Sequence, residues 1–205
     1  MYKVSHYNEK DKAKIFDFIS KNPFAFLSGS TSQGKPVATQ LPLLINKNND
    51  EWILQGHIMK NTDHYKTFVD NPNVLAVFTG PHAYVSGTWY ENPKVASTWN
   101  YMSVHAGGVV SFMTNEKLIA FMKKLTLHFE NDNPDSETIY NNLPKSFLER
   151  TMHAIVGIEI RVKHLDAIFK LSQDKDEQSI QNIIKALKQK SYMEKWLAEE
   201  MSNNS

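Results

Sequence analysis

The stretch Gly80–Tyr101, GPHAYVSGTWYENPKVASTWNY, sets two Trp, three Tyr and one His among residues that interrupt regular structure. No single helix or strand accommodates Gly87 and Pro93 in its interior. Gly87 and Asn92-Pro93 therefore divide the stretch into a strand end, a loop, and a second strand that begins at Thr98-Trp99-Asn100-Tyr101. On the first strand, period two puts Tyr84 and Ser86 on one face and Val85 on the other. Aromatic rings with polar tips, interleaved with Ser, Thr and Asn, suit a flat heteroaromatic ligand, a subunit interface or core packing. Tyr84 and Ser86 are the ligand candidates, whereas Trp89 and Tyr90 read as packing.

Working outward, Val74–Thr79 predicts a central strand and Met102–Met113 another, with Gly107-Gly108 marking a bulge or a close backbone approach. Upstream, Asn8 and Asp11 precede an Ile15/Phe16/Phe18/Ile19 pattern that predicts a capped helix ending near Asn22-Pro23. Phe24–Ser28 and Val37–Ile45 read as a hairpin joined by Gly29–Lys35. Glu51–Ile58 gives a strand after the turn signal Asn46–Asp50, and Thr62–Val69 a helix stopped at Asn71-Pro72. Downstream, Asn115–Glu130 predicts a helix and Asn131–Pro144 a polar connection. A strand pair follows, Ala154–Val162 and Ala167–Leu171, linked by Lys163–Asp166. From about Asp176 two apolar stripes out of phase predict two short helices, the second opened by a Ser191/Glu194 capping box. Six or more strands with few helices between them fit an antiparallel barrel better than an alternating βαβ sheet. The expected organisation is one domain over residues 1–205 with a helical extension from about 176.

Composition narrows the function. Apolar residues are 41% and charged residues 22% of the 205-residue chain, which suits a globular protein. No apolar run reaches membrane-spanning length, and residues 1–6 lack a leader pattern, so the sequence predicts a cytoplasmic protein with no membrane partner. The absence of cysteine removes disulfides and thiolate chemistry. A net charge of +1 advertises no nucleic-acid surface.

One segment carries ligand chemistry. Gln55–Lys66 runs from a strand end into a helix start and holds His57, Lys60, Asn61, Thr62 and His64. Unpaired helix N–H groups, a hydroxyl and two lysines are the parts of a phosphate site, while Thr62 or Asn61 acting only as a helix cap is the alternative. His57, His64, His82 and His105 do not have the spacing of a metal motif on one helix. Neither a nucleophile elbow nor a Ser-His-Asp signature is present.

These residues together resemble the PaiB family, described as FMN-binding negative transcriptional regulators. The likeness is carried by Met1-Tyr2, Asn22-Pro23-Phe24, Leu41–Leu44, Gly56-His57, Gly80–Ser86, Trp89-Tyr90, Thr98–Tyr101, Val104-His105, Ile155–Ile160 and Lys170–Gln173. It implies a split β-barrel, FMN as cofactor and a homodimer with flavin sites at the subunit interface. It implies further that the phosphate lies around Lys60, Asn61, Thr62 and His64, with the ring and ribityl chain along Thr39 and Gln40 and near Tyr84 and Ser86. Trp99 or Lys170 would then come from the partner chain. Gln40 stands where a His is common in that family. Three functions stay open: a flavin protein, either an oxidoreductase or a flavin-linked regulator; a DNA-binding repressor using Lys185, Lys188, Lys190 and Lys195; and a haem protein using His57, His64 or His105.

Overall fold

Seven strands form one sheet in the order β2-β1-β5-β6-β7-β4-β3. Their ranges are Phe24–Ser30 (β1), Pro36–Pro42 (β2), Leu44–Asn48 (β3), Glu51–Met59 (β4), Asn73–Val85 (β5), Thr98–Phe112 (β6) and Ile155–Lys170 (β7). Among the described residues six α-helices accompany them: Lys12–Lys21 (α1), Asp63–Asp70 (α2), Asn115–Phe129 (α3), Lys145–Met152 (α4), Glu177–Leu187 (α5) and Tyr192–Asn203 (α6). The structure is a computed structural model and describes residues 4–48, 51–92 and 94–204, with Asn48 described by its backbone. Met1-Tyr2, the Asn49-Asp50 end of the turn signal and Pro93 lie outside the described residues.

The local signals explain most boundaries. Asp11 caps α1 by accepting from Ala13 N–H at 2.8 Å and Lys14 N–H at 3.4 Å. Thr114 caps α3 and Asp176 caps α5 in the same way. The Ser191/Glu194 box is half formed. The Ser191 hydroxyl donates to the Glu194 carboxylate, and no backbone N–H of α6 uses the Ser191 side chain.

Two expectations need correction, and two features lay outside the sequence reading. The expected strand Val37–Ile45 is two strands. Pro42 ends β2, the fully buried Leu43 donates its N–H to Pro23 C=O at 2.8 Å, and Leu44 starts β3 against Gln55. Lys163–Asp166 is no linker, because β7 runs unbroken through all 16 residues. The helix Lys145–Met152 was not expected at all; Pro144 precedes it without a side-chain cap and it buries no residue. Finally, the strand that ends within the opening stretch is continuous with Val74–Thr79 through Gly80-Pro81. β5 passes through it, and the in-out alternation slips by one because both positions are buried, as an extra residue in a strand produces. Leu75 and Thr79 point outward before the slip, His82 and Tyr84 after it.

The chain divides into two compact units. The first comprises Met1–Asn22, Phe78–His105 and Asp166–Ser205, with a core that includes Ile19, Phe78, Val85, Val104, Ile168, Ile183 and Leu197. The second comprises Pro23–Val77 and Ala106–Leu165, with Leu27, Leu54, Phe68, Ile158 and Ile160 fully buried. A further cluster there joins Leu44, Met113, Leu118, Phe121 and Leu125. Close backbone approach at Gly108 is real. A Cβ there would lie 2.4 Å from the Arg161 carbonyl oxygen, so no larger residue fits without displacing β7.

Candidate functional site

In the second unit, alternation along β4 buries Trp52, Leu54, Gly56 and Ile58 on one face and leaves Ile53, Gln55 and His57 half-buried on the other. His57 stands opposite Gly157 of β7. Its Nδ1 is buried and has no hydrogen-bond partner among the described residues. Burial pushes its pKa below the ordinary value, so the ring is neutral near pH 7. Its neighbour Gly56 lies so close to β2 that a Cβ would sit 3.1 Å from the Pro42 carbonyl oxygen and from Leu41. Thus β4 at Gly56 lies against the end of β2 at Leu41 and Pro42. Thr39 is half-buried opposite Leu27, and Gln40 is exposed opposite Phe26.

After β4 the chain turns into α2. The Thr62 hydroxyl donates to Met59 C=O at 2.7 Å and accepts from Tyr65 N–H at 3.3 Å. His64 N–H donates to Asp63 Oδ1 at 2.7 Å, and the His64 ring Nδ1 lies 3.3 Å from the same oxygen. Two amides of the first turn therefore already have side-chain acceptors, and Asp63 adds a negative charge where an anion would otherwise be drawn. The helix cap weighed in the sequence is present. What the turn leaves over is side chains: Lys60 and Asn61 are exposed, and Lys60 makes no ion pair among the described residues. Lys60 is held in place by its backbone, whose N–H donates to Ala154 C=O at 2.9 Å.

The remaining sequence-derived residues, Tyr84, Ser86, Trp99 and Lys170, lie in the first unit. Trp99 and Tyr84 are 55% and 48% exposed, yet their rings meet edge to face at 6.2 Å. His82 joins them, 6.4 Å from Trp99, on the outward face that period two from Tyr84 gives it. Ser86 is committed locally. Its hydroxyl accepts from Thr88 N–H at 3.2 Å and caps the 3-10 turn Gly87–Trp89.

Lys170 is half-buried. Its ammonium donates to the Thr98 hydroxyl and lies 5.6 Å from the Tyr7 ring centroid. Burial lowers its pKa from the usual 10.5, with Asp174 opposing that effect. Tyr7 OH in turn donates to Asp174 at 2.9 Å. Beside it, buried Asn100 donates to the Ser172 hydroxyl at 2.8 Å, and Ser172 stands 3.2 Å from Asn100 Oδ1. Ser172 has φ +63°, and Gln173 braces that left-handed turn by accepting from Leu171 N–H at 2.7 Å and donating to Phe169 C=O at 2.6 Å. Lys170-Leu171-Ser172-Gln173 is thus a self-bonded corner, a role that the sequence alone did not reveal.

Among the described residues no cluster of three His, Asp or Glu could hold a metal ion, and no helix is long and apolar enough to cross a membrane. The region around His57 does fit FMN. That group carries a phosphate and a polar ring edge, and the region offers an ammonium without an ion-pair partner and a buried imidazole nitrogen without a partner of its own. The fit comes from the side chains of Lys60, Asn61 and His57 more than from helix amides.

Comparison with known proteins agrees. The family described as "Putative FMN-binding domain" matches residues 1–164. The chain is 34% identical over 189 residues to protease synthase and sporulation protein PAI 2 of Bacillus subtilis (strain 168), covering 91% of this chain and 89% of the relative. In fold it is similar to the flavocytochrome Anf3 from Azotobacter vinelandii, with a TM-score of 0.63 at 13% identity over 87% of this chain and 77% of that one. It is similar also to the FAD and heme binding protein from Mycobacterium smegmatis, with a TM-score of 0.58 at 12% identity over 85% and 79% of the two chains. The chain therefore belongs to the FMN-binding domain family of PaiB type, an antiparallel split β-barrel whose cofactor is FMN.

Proposed function

We propose that the chain is a flavin-dependent oxidoreductase that holds the FMN phosphate in its second unit, through Lys60 and Asn61, with Thr62 and His64 fixing the turn. The observation that carries this reading is the unpartnered Nδ1 of His57, which stands three residues before an ammonium with no ion pair among the described residues. His57, Thr39 and Gln40 then face the rest of the cofactor. When bound, FMN supplies hydride and single-electron chemistry. The chain's own part is to bind, to orient and, at His57, to present a neutral imidazole nitrogen.

Lys60→Ala tests the phosphate assignment, alone and with Thr62→Ala. Losing a charge-assisted contact is expected to weaken FMN about tenfold or more while riboflavin changes little. Equal losses for the two ligands would overturn the assignment. Anaerobic bleaching of the flavin bands by NADH or NADPH, and their return on adding an acceptor, tests the redox role. A holoprotein that neither donor reduces removes the oxidoreductase reading and leaves binding intact. A Soret band in place of flavin bands moves the reading to haem.

In the first unit, the exposed Tyr84–Trp99 pair and Lys170 are proposed to face a second subunit and the flavin that it holds, with Ser86 shaping the turn beside them. A cytoplasmic homodimer is proposed on the apolar sheet face of the second unit, where Phe24 and Phe26 are 63% and 44% exposed. Phe24→Asp with Phe26→Asp is expected to give monomers by light scattering; unchanged dimers would place the interface elsewhere. DNA-linked regulation stands second. It rests on the tail lysines Lys185, Lys188, Lys190 and Lys195, of which Lys190 is drawn over the Trp89 ring at 5.3 Å. A gel shift that weakens with salt would raise it.

A further inference from the structure

The first unit contains a cavity that the flavin reading does not use. It has a volume of about 270 Å³ and lies between one face of α1 and one face of α6. On α1 the wall residues Lys14, Asp17, Phe18 and Lys21 follow the i, i+3, i+4, i+7 spacing of a single stripe, and Trp196, Glu200 and Asn203 do the same on α6. The floor is apolar: Phe18, Met102 and Phe169 are each about 95% buried yet line the space. Phe18 is fixed there by Gly80, where a Cβ would come within 2.5 Å of its ring. A second cavity of about 350 Å³ shares the Lys14, Phe169 and Asn204 walls and leads on toward Leu171, Ile180 and Met201. All α6 walls lie beyond residue 164, where the family match ends.

The rim carries two ammonium and two carboxylate groups, so a ligand of either net charge gains nothing from the cavity as a whole. A ligand with both charges beside an apolar group gains from every wall. Its acid and amine would take the groups least committed to the protein. Lys21 is closely paired with Asp17 at 2.7 Å, whereas Lys14 is held loosely, 3.3 Å from Asn204 Oδ1 and 3.9 Å from Glu9. Glu200 accepts from Trp196 Nε1 at 3.3 Å through Oε1 and keeps its second oxygen for another donor. We infer that this cavity binds an α-amino acid with an apolar side chain, its carboxylate on Lys14, its ammonium on Glu200 and its side chain over Phe18, Met102 and Phe169.

Isothermal titration of the full-length protein with L-phenylalanine and L-leucine tests this, beside 3-phenylpropionate, which lacks the amine, and phenethylamine, which lacks the acid. Saturable binding of the amino acids is expected, with each truncated analogue about tenfold weaker or worse. Glu200→Gln should bring L-phenylalanine down toward 3-phenylpropionate, and Lys14→Met should bring it toward phenethylamine. Both positions are on the rim, and circular dichroism is the check that each variant is folded. FMN content and the flavin spectrum should stay unchanged throughout, which separates this site from the flavin site. No saturable heat with either amino acid, equal binding of an analogue that lacks one charge, or L-phenylalanine binding indifferent to Glu200→Gln overturns the inference.

Discussion

Asn100 in the first unit and His57 in the second are both polar side chains on strands, and their surroundings differ in kind. Asn100 is fully buried and exchanges hydrogen bonds with Ser172. His57 keeps a buried nitrogen without a partner among the described residues. A folded chain tolerates an unmet buried polar atom at a cost of about 1–3 kcal/mol, so a position that keeps one is spending stability on something other than the fold. The contrast separates a polar group that belongs to the architecture from one that awaits a ligand.

The strongest way to break that comparison is to make the same change at both positions. Asn100→Leu removes both contacts between Asn100 and the buried Ser172 hydroxyl and is expected to cost about 3 kcal/mol, read as a lower midpoint in urea at unchanged slope. His57→Leu should move the other way, raising the stability of the ligand-free protein by about 1 kcal/mol while weakening FMN. Losses of similar size at the two sites would mean that His57 is structural after all.

A smaller effect sharpens the comparison by pH. Burial lowers the folded pKa of His57, so its stabilising contribution is complete above the unfolded value of 6.5 and is lost as pH falls from there toward the folded value. In that window the unfolded chain binds a proton that the native ring refuses. His105 is shifted the same way, first of all by burial, and adds to the slope. His57→Gln should therefore shrink the loss of stability below pH 6.5 without abolishing it. An unchanged slope would mean that His57 is hydrated in solution.

Local chemistry was what the sequence made legible. The Asp11 and Thr62 caps, the β4 alternation and the two-helix tail all follow from residues within a few positions of one another. Lys145–Met152 escaped because Pro144 opens it without a side-chain cap and its eight residues carry only a short stripe, the half-buried Leu148 and Met152. The continuity of β7 escaped because its middle residues are polar and exposed, which the chain tolerates in a strand that its neighbours hold by backbone bonds. Within the site, the turn at Lys60–Thr62 could be read directly. The orphaned nitrogen could not, since it depends on Gly157 standing opposite His57, a fact of register that no local pattern encodes.

Gly80-Pro81 gives β5 something like a change of reading frame. Upstream, odd-numbered side chains face outward; downstream, even-numbered ones do, and a single strand presents Leu75 and Tyr84 outward across an odd interval of nine. The frame makes the strand unequal in its tolerance. Most exchanges of one residue for another are local, and deleting Gly80 would only restore plain alternation with His82 and Tyr84 still outward, but deleting one residue of the segment beyond it, such as Ala83, would turn Tyr84 in and Val85 out at once. Length, more than composition, is what this part of the chain has to keep.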